Sequence, residues 1–402
     1  MKKILIVSQA MELGGAERAL LGLLENIDTT NYEVDLFLMR HTGELMDQIP
    51  SYINLLPEIR PYASLAVPMV TVLKCGQIPV LLGRLYAKLK AKQRVRQLSI
   101  TGDHAVELEY SHKYTAWAMP YISKKQYDLV ISFLTPHYFA AQKTIGDKKI
   151  AWIHTDYSTV NVDVDSELNM WGQFDWIASI SDDVTNSFVQ TFPALKDKLV
   201  LIENIMPVRH IRSMIHAFSA EKELPTEKGV NLLSIGRFCT AKNFDNVPFI
   251  CKLIRQQGLD VKWYLIGYGG DEALIRKNIR EQGMEDHVII LGKKENPYPY
   301  IKACDVYVQP SRYEGKCVAV REAQMLGKPV IITNYATSAS QLENGVDGVI
   351  VPMDNEGCAQ GIAAVLQNPQ LMQQLSENCR QRDYYNSQEA EKIYQLLEHQ
   401  ND

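Results

Sequence analysis

Two glutamates lie eight positions apart in the stretch SRYEGKCVAVREAQMLGKPVIITN, residues 311–334. Glu314 precedes a segment of helical character and Glu322 lies within it, while Gly327 and Pro329 mark its end. Ionised carboxylates accept hydrogen bonds from vicinal hydroxyls. At the helical rise, the two carboxylates would be about 10–12 Å apart, which is close to the distance from a sugar ring across a diphosphate to a ribose. The spacing therefore predicts a clamp on a nucleotide sugar.

A helix is expected from about residue 316 to residue 326, with its amino-terminal end beside Glu314. The first N–H groups of a helix have no partner inside it and carry partial positive charge. They would bind phosphate, and the predicted donors are the amides of Gly315, Lys316, Cys317 and Val318. The alternative interpretation is that Glu314 only stabilises the helix start and that Glu322 is a surface residue.

Two cations lie close together in GRFCTAKNF, residues 236–244, directly after a predicted strand. Arg237 and Lys242 share this strand-to-helix connection, so both could reach one anion. Two fixed cations could neutralise a diphosphate leaving group without a metal ion. The alternative is a pair of solvated surface charges.

An earlier connection, QAMELGGAERALLGLL at residues 9–24, also follows a predicted strand. Gly14 and Gly15 would let a ligand approach the backbone, and a helix beginning near Ala16 would present its amides to an anion. The segment lacks G-x-G-x-x-G spacing, which disfavours a dinucleotide site and hence a dehydrogenase. A purely structural turn is the alternative.

Short β-branched runs alternate with helix-length segments along the whole chain. Near-continuous apolar strands separated by helices indicate parallel sheets covered on both faces. Two series of strands are expected, at 3–8, 33–39, 128–133, 150–154, 176–181 and 199–204, and at 231–236, 261–267, 287–292, 305–311, 329–334 and 348–352. The predicted fold class is α/β, with two Rossmann-like, doubly wound domains that hold a ligand in a cleft at the carboxyl ends of their strands.

The expected domains are residues 1–205 and 206–385, because a polar segment with prolines at 204–229 separates the two series. A helix at about 386–402 is expected to pack back on the first domain. A length of 402 residues fits two domains of ordinary size.

The composition excludes several classes of protein. A net charge of −5 disfavours a general nucleic-acid binder. Seven scattered cysteines without a C-x-x-C pair indicate reduced thiols and a cytoplasmic location. No run of 18 apolar residues is present, so no membrane span is expected, and the apolar run at the start is too short for a signal peptide.

Taken in order, GGAER, GRFCTAKNF and PSRYEGKCVAVREAQMLGKPVI resemble the family 4 retaining glycosyltransferases of GT-B fold. The resemblance is strongest over 231–352 and weakest over 40–125. It implies an amino-terminal acceptor-binding domain and a carboxy-terminal domain that binds a nucleotide-sugar donor, with UDP the favoured nucleotide. It also implies that no cofactor or metal ion is needed.

The resemblance assigns roles to the residues already singled out. Glu314 matches the family glutamate that contacts the transferred sugar, and Glu322 matches the one that holds the ribose hydroxyls. Arg237 and Lys242 match the cationic pair on the diphosphate. Gly15 matches the loop glycine near the phosphates.

Three further positions follow from the same resemblance. His154, which ends the strand in IAWIHTDYS, resembles the histidine that reaches the donor sugar. Asn243 stands where the family often has glycine, and Lys316 stands where an aromatic residue often follows Glu-Gly. The positive charge at Lys316 makes the donor sugar harder to infer.

The implied reaction keeps the anomeric configuration of the sugar. Since no carboxylate is an evident nucleophile, front-face substitution is favoured, in which a leaving-group oxygen takes the acceptor's proton. Asp163 and Asp165 form an Asp-x-Asp pattern that can bind a metal–diphosphate in another glycosyltransferase fold, but the segment NVDVDSELN is more typical of a helix start.

From Ile59 to Gly102 the chain has no acidic residue and eight basic ones. Residues 79–98 read as a basic helix with Leu82, Leu85 and Leu89, together with Tyr86, on one face. Such a helix can lie on an anionic membrane surface and would suit a lipid-linked acceptor. A helix packed on the domain core and a surface for a protein partner are the alternatives.

The favoured function is transfer of a hexose-type sugar to a glycan or lipid-linked acceptor in cell-surface or capsular polysaccharide synthesis. The expected location is the cytoplasm, with peripheral contact at the inner face of the membrane. The alternatives are a nucleotide-sugar 2-epimerase of the same architecture and a non-catalytic nucleotide-sugar sensor.

Overall fold

The computed structural model describes residues 1–100, 104–225 and 229–398. Residues 101–102 of the basic segment, 226–228 of the predicted domain boundary and 399–402 of the predicted last helix lie outside the described residues. The chain divides into two compact units. The first unit is Met1–Ile205 with Ser387–Asp402, and the second unit is Met206–Asn386.

The first unit is built on a parallel sheet, which has seven strands within the described residues. The strands are β1 (Lys2–Ser8), β2 (Tyr32–Leu38), β3 (Asn54–Leu55), β4 (Gln126–Ser132), β5 (Ile145–Ile153), β6 (Trp176–Ser179) and β7 (Leu199–Leu201). Their order in the sheet is β3-β2-β1-β4-β5-β6-β7. The helices that connect them are α1 (Gly15–Asn26), α2 (Arg60–Ala63), α3 (Met69–Lys74), α4 (Ile78–Gln97), α5 (Val106–Thr115), α6 (Tyr138–Gln142), α7 (Val164–Trp171) and α8 (Asp182–Thr191).

The second unit repeats this plan with a parallel sheet of six strands in the part of the chain described. Its strands are β8 (Val230–Ile235), β9 (Val261–Ile266), β10 (Val288–Gly292), β11 (Val306–Gln309), β12 (Val330–Thr333) and β13 (Val349–Val351), in the order β10-β9-β8-β11-β12-β13. Its helices are α9 (Val208–Met214), α10 (Val247–Gln256), α11 (Glu272–Gln282), α12 (Tyr298–Ala303), α13 (Val318–Met325), α14 (Ser338–Gln341), α15 (Asn355–Leu366) and α16 (Pro369–Gln381).

The last helix, α17 (Glu389–Glu398), packs on the first unit. The ring of Tyr394 stacks on Tyr32 with ring centroids 4.6 Å apart, and its hydroxyl oxygen accepts a hydrogen bond from the amide of Asp28. Lys392 donates to the carbonyl of Leu201 at 2.9 Å. These contacts fix α17 against β2 and β7.

All twelve predicted strands are confirmed, and the observed strands differ from the predictions mainly at their ends. The two-residue strand β3 was not predicted, because Asn54 and Leu55 are too few to form a recognisable pattern. Both faces of each sheet are covered, as their apolar strands require. In the second unit, Leu232 and Trp263 belong to one buried cluster and Leu233 and Tyr264 to another.

Each sheet has a point where the strand order reverses, between β1 and β4 in the first unit and between β8 and β11 in the second. Ligands of such sheets bind outside the carboxyl ends of the strands at this point. The connections after β1, β8 and β11 contain most of the candidate residues named above. Among the described helices, none combines the length and the hydropathy that a transmembrane span requires.

Candidate functional site

Lys242 and Glu314 form an ion pair at the switch point of the second unit. Lys242 lies in a short 3₁₀ turn, Thr240–Lys242, that follows β8, and Glu314 follows the adjacent strand β11. The Lys242 Nζ atom is 2.5 Å from Glu314 Oε1, and the two side chains are only 18% and 10% exposed. Strand pairing between β8 and β11 therefore brings together two residues that are far apart in sequence.

Neighbouring side chains hold both partners of this pair. Ser311 donates from its hydroxyl to Glu314 Oε1 at 2.6 Å, and Thr337 donates to the Glu314 carbonyl at 2.8 Å. The aliphatic part of Lys242 lies against Gly236, where an added Cβ would be only 3.1 Å from Lys242 Cε. Glycine at position 236 thus leaves room for the lysine to lie flat across the end of β8.

The environment keeps Lys242 charged. Burial alone would lower the pKa of its ammonium group, but the neighbouring Cys317 and Glu314 raise the pKa above its usual value. Burial, together with the charge of Glu314, raises the pKa of the Cys317 thiol to about 11. That thiol is therefore neutral at neutral pH, and the ion-pair partner of the lysine is Glu314.

Asn243 stands where the family 4 glycosyltransferases often have glycine, and its backbone conformation is one that glycine also adopts. Its backbone has φ 60° and ψ 23°, in the left-handed region. Asparagine enters this region more readily than other residues with a side chain. Its side-chain oxygen accepts a hydrogen bond from Asn246 Nδ2 at 2.7 Å, which helps to hold the turn after Lys242.

Arg237 lies on the same connection as Lys242, with an exposed side chain. A second arginine, which was not predicted from the sequence, joins this connection to the one after β11. Arg312 donates to both carboxylate oxygens of Asp245, at 2.9 and 2.8 Å, and to the carbonyl of Thr240. Asp245 and Arg312 each lie within three positions of a predicted site residue, and this proximity was the available signal.

The start of α13 differs from the prediction. The helix begins at Val318 rather than at about residue 316. The amide of Cys317, predicted to be open for phosphate, instead donates to Gln341 Oε1 at 2.7 Å, so this part of the prediction is wrong. Gln341 lies 24 positions away on α14, and local sequence could not reveal it. The amides of Gly315, Lys316 and Val318 remain the predicted phosphate donors.

Glu322 is fully buried, at 0% exposed, so the alternative interpretation as a surface residue is wrong. The hydroxyl of Tyr298 donates to Glu322 Oε1 at 3.0 Å. Tyr298 opens α12 and is itself buried. The ribose role of Glu322 stays a prediction, and it requires that a ligand hydroxyl reach this enclosed carboxylate.

The remaining predicted residues lie in the first unit. Gly14 and Gly15 connect β1 to α1, which begins at Gly15. An added Cβ at Gly14 would lie only 2.0 Å from Glu17 Oε2, so the carboxylate of Glu17 closes over this glycine. The predicted contact of this loop with donor phosphate stays a prediction.

His154 directly follows β5. Burial lowers the pKa of its imidazole to about 3, an effect that a hydrogen bond to the Phe133 backbone partly offsets. The Nε2 atom is buried and has no hydrogen-bond partner within the described residues. The ring is therefore neutral at neutral pH, with one nitrogen left to bind a ligand hydroxyl.

The Asp-x-Asp pattern begins helix α7, as the alternative interpretation predicted. Asp163 accepts hydrogen bonds from Arg94 Nε and the Tyr110 hydroxyl at 2.8 and 2.6 Å. Asp165 accepts another from Arg94 at 3.0 Å. The two carboxylates therefore join α7 to α4. No group of three or more potential metal ligands occurs in the described part of the chain.

Residues 216–382 match the family described as glycosyl transferases group 1. The matched residues lie within the second unit. The matched residues include Arg237 and Lys242 after β8, and Glu314 and Glu322 around the start of α13.

Several bacterial proteins are similar to part of this chain. It is 31% identical over 145 residues to the amylovoran biosynthesis glycosyltransferase AmsK of Erwinia amylovora, which covers 34% of this chain and 35% of that protein. It is 26% identical over 153 residues to the N-acetylgalactosamine-N,N'-diacetylbacillosaminyl-diphospho-undecaprenol 4-alpha-N-acetylgalactosaminyltransferase of Campylobacter jejuni, with 38% and 41% covered. The chain thus matches only about two fifths of these relatives' own length.

Solved structures resemble the chain over almost its full length. Anabaena Alr3699/HepE in complex with UDP and glucose matches with a TM-score of 0.68 at 17% identity, covering 99% of each chain. Staphylococcus aureus TarM in complex with Fondaparinux, alpha-GlcNAc-glycerol and UDP matches with a TM-score of 0.67 at 12% identity, covering 99% of this chain. These matches establish the fold. The predicted α/β class with GT-B fold is confirmed.

Proposed function

We propose that the protein is a retaining glycosyltransferase of family 4 that moves a hexose-type sugar from a nucleotide diphosphate sugar to a glycan or lipid-linked acceptor. The observation that carries the proposal is the ion pair of Lys242 and Glu314 at the switch point of the second unit. It offers a cation for phosphate and a carboxylate for sugar hydroxyls at adjacent strand ends, where ligands of such sheets bind.

In the proposed complex, Lys242 and Arg237 bind the diphosphate, with the amides of Gly315 and Lys316 as further donors. Arg237 is exposed and Lys242 is held against Gly236, so the arginine is free to adjust while the lysine is fixed. Two cations stabilise the charge that develops on the leaving diphosphate. This arrangement supports transfer without a metal ion.

The sugar and the ribose would be bound by carboxylates. Glu314 accepts hydrogen bonds from the transferred sugar, and Glu322 accepts them from the ribose hydroxyls. His154, whose Nε2 atom is buried and unpartnered within the described residues, is proposed to bind a sugar hydroxyl. Gly15 and the amides at the start of α1 are proposed to lie near the phosphates.

The reaction itself is proposed to be a front-face substitution. The bond between the anomeric carbon and the phosphate oxygen breaks as the acceptor oxygen bonds to the same face of that carbon. The departing phosphate oxygen takes the proton of the acceptor hydroxyl, so charge and atoms balance without a protein nucleophile. Catalysis then consists of positioning and charge stabilisation.

UDP is the proposed donor nucleotide, and cell-surface polysaccharide is the proposed product class. The similar Anabaena structure is a complex with UDP and glucose, and the Erwinia relative is named for amylovoran biosynthesis. The Campylobacter relative is named for a diphospho-undecaprenol-linked acceptor. The Campylobacter name supports a lipid-linked acceptor. A cytoplasmic location, with contact to the inner face of the membrane through residues 79–98, is a further part of the proposal.

The test is product analysis with UDP-hexoses, first without and then with undecaprenyl-diphosphate-linked sugar acceptors. The proposal predicts UDP release that depends on the acceptor, and a product whose new linkage has the anomeric configuration of the donor. An inverted linkage would contradict the retaining mechanism. A 2-epimer formed from donor alone would favour the epimerase, and nucleotide binding without any turnover would favour the sensor.

A further inference from the structure

Helix α4 packs on the first unit through its smallest side chains. The residues that face inward are Val80, Gly83, Ala87 and Ala91. At Gly83 the helix approaches α5 so closely that an added Cβ would lie 2.9 Å from the carbonyl oxygen of Tyr114. Leu81 and Val95 add to this packing, whereas four other large apolar residues of the helix belong to none of the buried clusters.

Those larger residues lie on the opposite side of α4. Ile78, Leu82, Leu85 and Leu89 follow one another at spacings of four, three and four positions, which places them on one face of a helix. They are 54%, 56%, 45% and 70% exposed. We call these four residues the apolar stripe. The alternative of a helix packed on the domain core with a solvated basic face is thus correct for the packing of α4, but it leaves the exposure of these four residues unexplained.

The helix before α4 continues the apolar surface. Val70 and Leu73 on α3 are both more than half exposed, while Val72 between them is buried and holds the helix. The turn that joins α3 to α4 carries Cys75, which is also exposed. Large apolar side chains thus reach solvent on two consecutive helices.

Cations extend and flank the apolar stripe. Lys92 and Arg96 occupy the next positions of the same helical face, and Lys88 lies beside it; all three are exposed. Two other arginines of α4 are bonded to neighbouring residues. Arg84 donates to backbone carbonyls, and Arg94 binds Asp163. The exposed charge on this face is therefore positive, with no acidic residue between Ile59 and Gly102.

We propose that the apolar stripe inserts into the headgroup region of an anionic lipid bilayer while Lys88, Lys92 and Arg96 bind the lipid phosphates. Apolar side chains framed by lysine and arginine are the combination that binds a helix in the plane of such a surface. A symmetric contact between two copies is disfavoured, because it would place the cations of one copy near those of the other.

This surface belongs to the unit proposed to bind the acceptor. A bilayer bound there would present a lipid-linked acceptor to the same unit, and this consequence rests on the proposed function. Lipid binding itself requires neither donor nor acceptor. A failure to bind vesicles would therefore leave the sugar-transfer proposal standing, and a failure to bind nucleotide would leave the lipid proposal standing.

The experiment uses the full chain with vesicles of phosphatidylcholine, with or without phosphatidylglycerol. An environment-sensitive dye on the exposed Cys75 reports insertion, and a Cys75→Ser chain identifies signal from dye at other sites. Sedimentation with the vesicles gives the affinity. We expect binding that requires phosphatidylglycerol, weakens with salt and shifts the dye emission to shorter wavelength.

The cations are tested by the triple variant Lys88→Gln, Lys92→Gln and Arg96→Gln. Each cation near an anionic surface strengthens binding about fivefold, so the triple variant should bind about 100-fold more weakly. A matched control removes three exposed cations elsewhere, namely Lys124, Lys196 and Arg280. The control should lose much less affinity for the same change in net charge.

The apolar stripe is tested by the triple variant Leu82→Gln, Leu85→Gln and Leu89→Gln. This variant should bind the vesicles at least about tenfold more weakly and should no longer show the shift of the dye emission to shorter wavelength. Its circular dichroism and thermal unfolding should be unchanged. Leu274→Gln, at an exposed leucine on α11, is the control and should bind like the wild type.

Three results would overturn the proposal. One is the absence of wild-type binding to anionic vesicles, which would leave a protein partner as the occupant of this surface. Another is equal loss of binding in the control variants. The third is a dimer, observed without lipid by sedimentation equilibrium, that dissociates when the three leucines are replaced.

Discussion

The Lys242 Nζ atom lies 2.5 Å from Glu314 Oε1, although 72 positions separate the two residues in the sequence. One follows β8 and the other follows β11, and these strands are neighbours where the strand order of the sheet reverses. The lysine proposed for the leaving diphosphate and the glutamate proposed for the transferred sugar are thus already in contact in the protein alone. Donor binding has to exchange this contact for contacts with the ligand.

The energetic coupling of this pair can be measured with Lys242→Met, Glu314→Gln and the double variant. Each single change leaves a largely buried partner unpaired, which should lower the free energy of unfolding by about 1–3 kcal/mol. The double variant should lose less than the sum of the two, as measured by urea unfolding.

The exposed pair Lys277 and Glu281 is the control for this cycle. Its Nζ–Oε1 distance is 3.7 Å, and both side chains are more than half exposed. Solvent-exposed pairs at this helical spacing couple by only about 0.3–0.5 kcal/mol. Equal coupling in the two pairs would mean that burial does not strengthen the contact between Lys242 and Glu314.

The ribose role of Glu322 is tested by comparing UDP with 2',3'-dideoxy-UDP. In the wild type, loss of the two hydroxyls should weaken binding by about 1–3 kcal/mol, because their hydrogen bonds to the buried Glu322 side chain are lost. In Glu322→Gln this difference should shrink, while the amide oxygen can still accept the hydrogen bond of Tyr298. Calorimetric titration measures both.

A constant difference between the two nucleotides in the wild type and in Glu322→Gln would contradict the role in ribose binding. Tyr298→Phe is the matched control, since it removes the hydrogen bond to Glu322 Oε1 and keeps the carboxylate. That variant should still discriminate between the two nucleotides.

The sequence predicted which strand connections carry the site residues, but not the contacts that depend on distant parts of the chain. Alternating strands and helices predicted that the connections after β8 and β11 carry the site, and the sheet places them side by side. The start of α13 was mispredicted, because Gln341 takes up the amide of Cys317 from 24 positions away. Glu322 could not be recognised as buried, because Tyr298, which covers it, lies on another helix.

His154→Phe should separate function from stability. Its Nε2 atom is buried without a partner in the described structure, and replacing an unsatisfied polar group with an apolar ring does not add a desolvation penalty. The change also removes the hydrogen bond between the imidazole and the Phe133 backbone, which should contribute about 0.5–1.5 kcal/mol. The variant should therefore unfold at a temperature only slightly below that of the wild type. If the histidine binds the donor sugar, turnover should fall by at least about tenfold, which corresponds to the loss of one hydrogen bond between the imidazole and a sugar hydroxyl.

The wild type and His154→Gln provide the comparison for that experiment. Glutamine keeps a hydrogen-bonding group near the strand end and should retain part of the turnover. Full turnover in His154→Phe would contradict a role in sugar binding, and a large drop in thermal stability would assign the histidine to the fold instead.

Glu167 in the first unit should make stability depend on pH. Its carboxylate accepts hydrogen bonds from Tyr157 and Trp171, and burial raises its pKa from 4.5 to about 7. The folded state therefore holds the proton more tightly than the unfolded state. This contribution to stability is fully present below about pH 4.5 and is lost as the pH rises through about 7.

Glu167→Gln isolates this effect from that of other titrating groups. The quantity to compare is the free energy of unfolding of the variant minus that of the wild type. Between about pH 4.5 and about pH 8 this difference should shift in favour of the variant by up to about 3 kcal/mol. Urea unfolding across this range measures the change. A difference that does not vary with pH would show that the Glu167 pKa is not raised.

The face of α4 shows a different limit of sequence reasoning. Leucines at helical spacing suggested either a core or a membrane face, and both were compatible with the pattern. The structure excludes the core for these leucines, because Gly83 and Ala87 bring the helix backbone close to α5 and leave the leucines outside; a membrane or a protein partner is still compatible with their exposure. Small residues rarely identify a packing face by themselves, since their contribution depends on the shape of the neighbouring helix.

Nucleotide binding at Lys242 and Glu314 can be measured by calorimetric titration of UDP and GDP into the wild type and Arg237→Gln, with EDTA present. We expect UDP to bind without a divalent metal ion and the variant to lose about 1.5–3 kcal/mol of binding free energy, because a hydrogen bond between charged groups is removed. Arg237→Gln should weaken the binding of UMP, which lacks the second phosphate, less than it weakens the binding of UDP. Absence of binding for both UDP and GDP in the wild type would contradict a nucleotide-sugar site at Lys242 and Glu314.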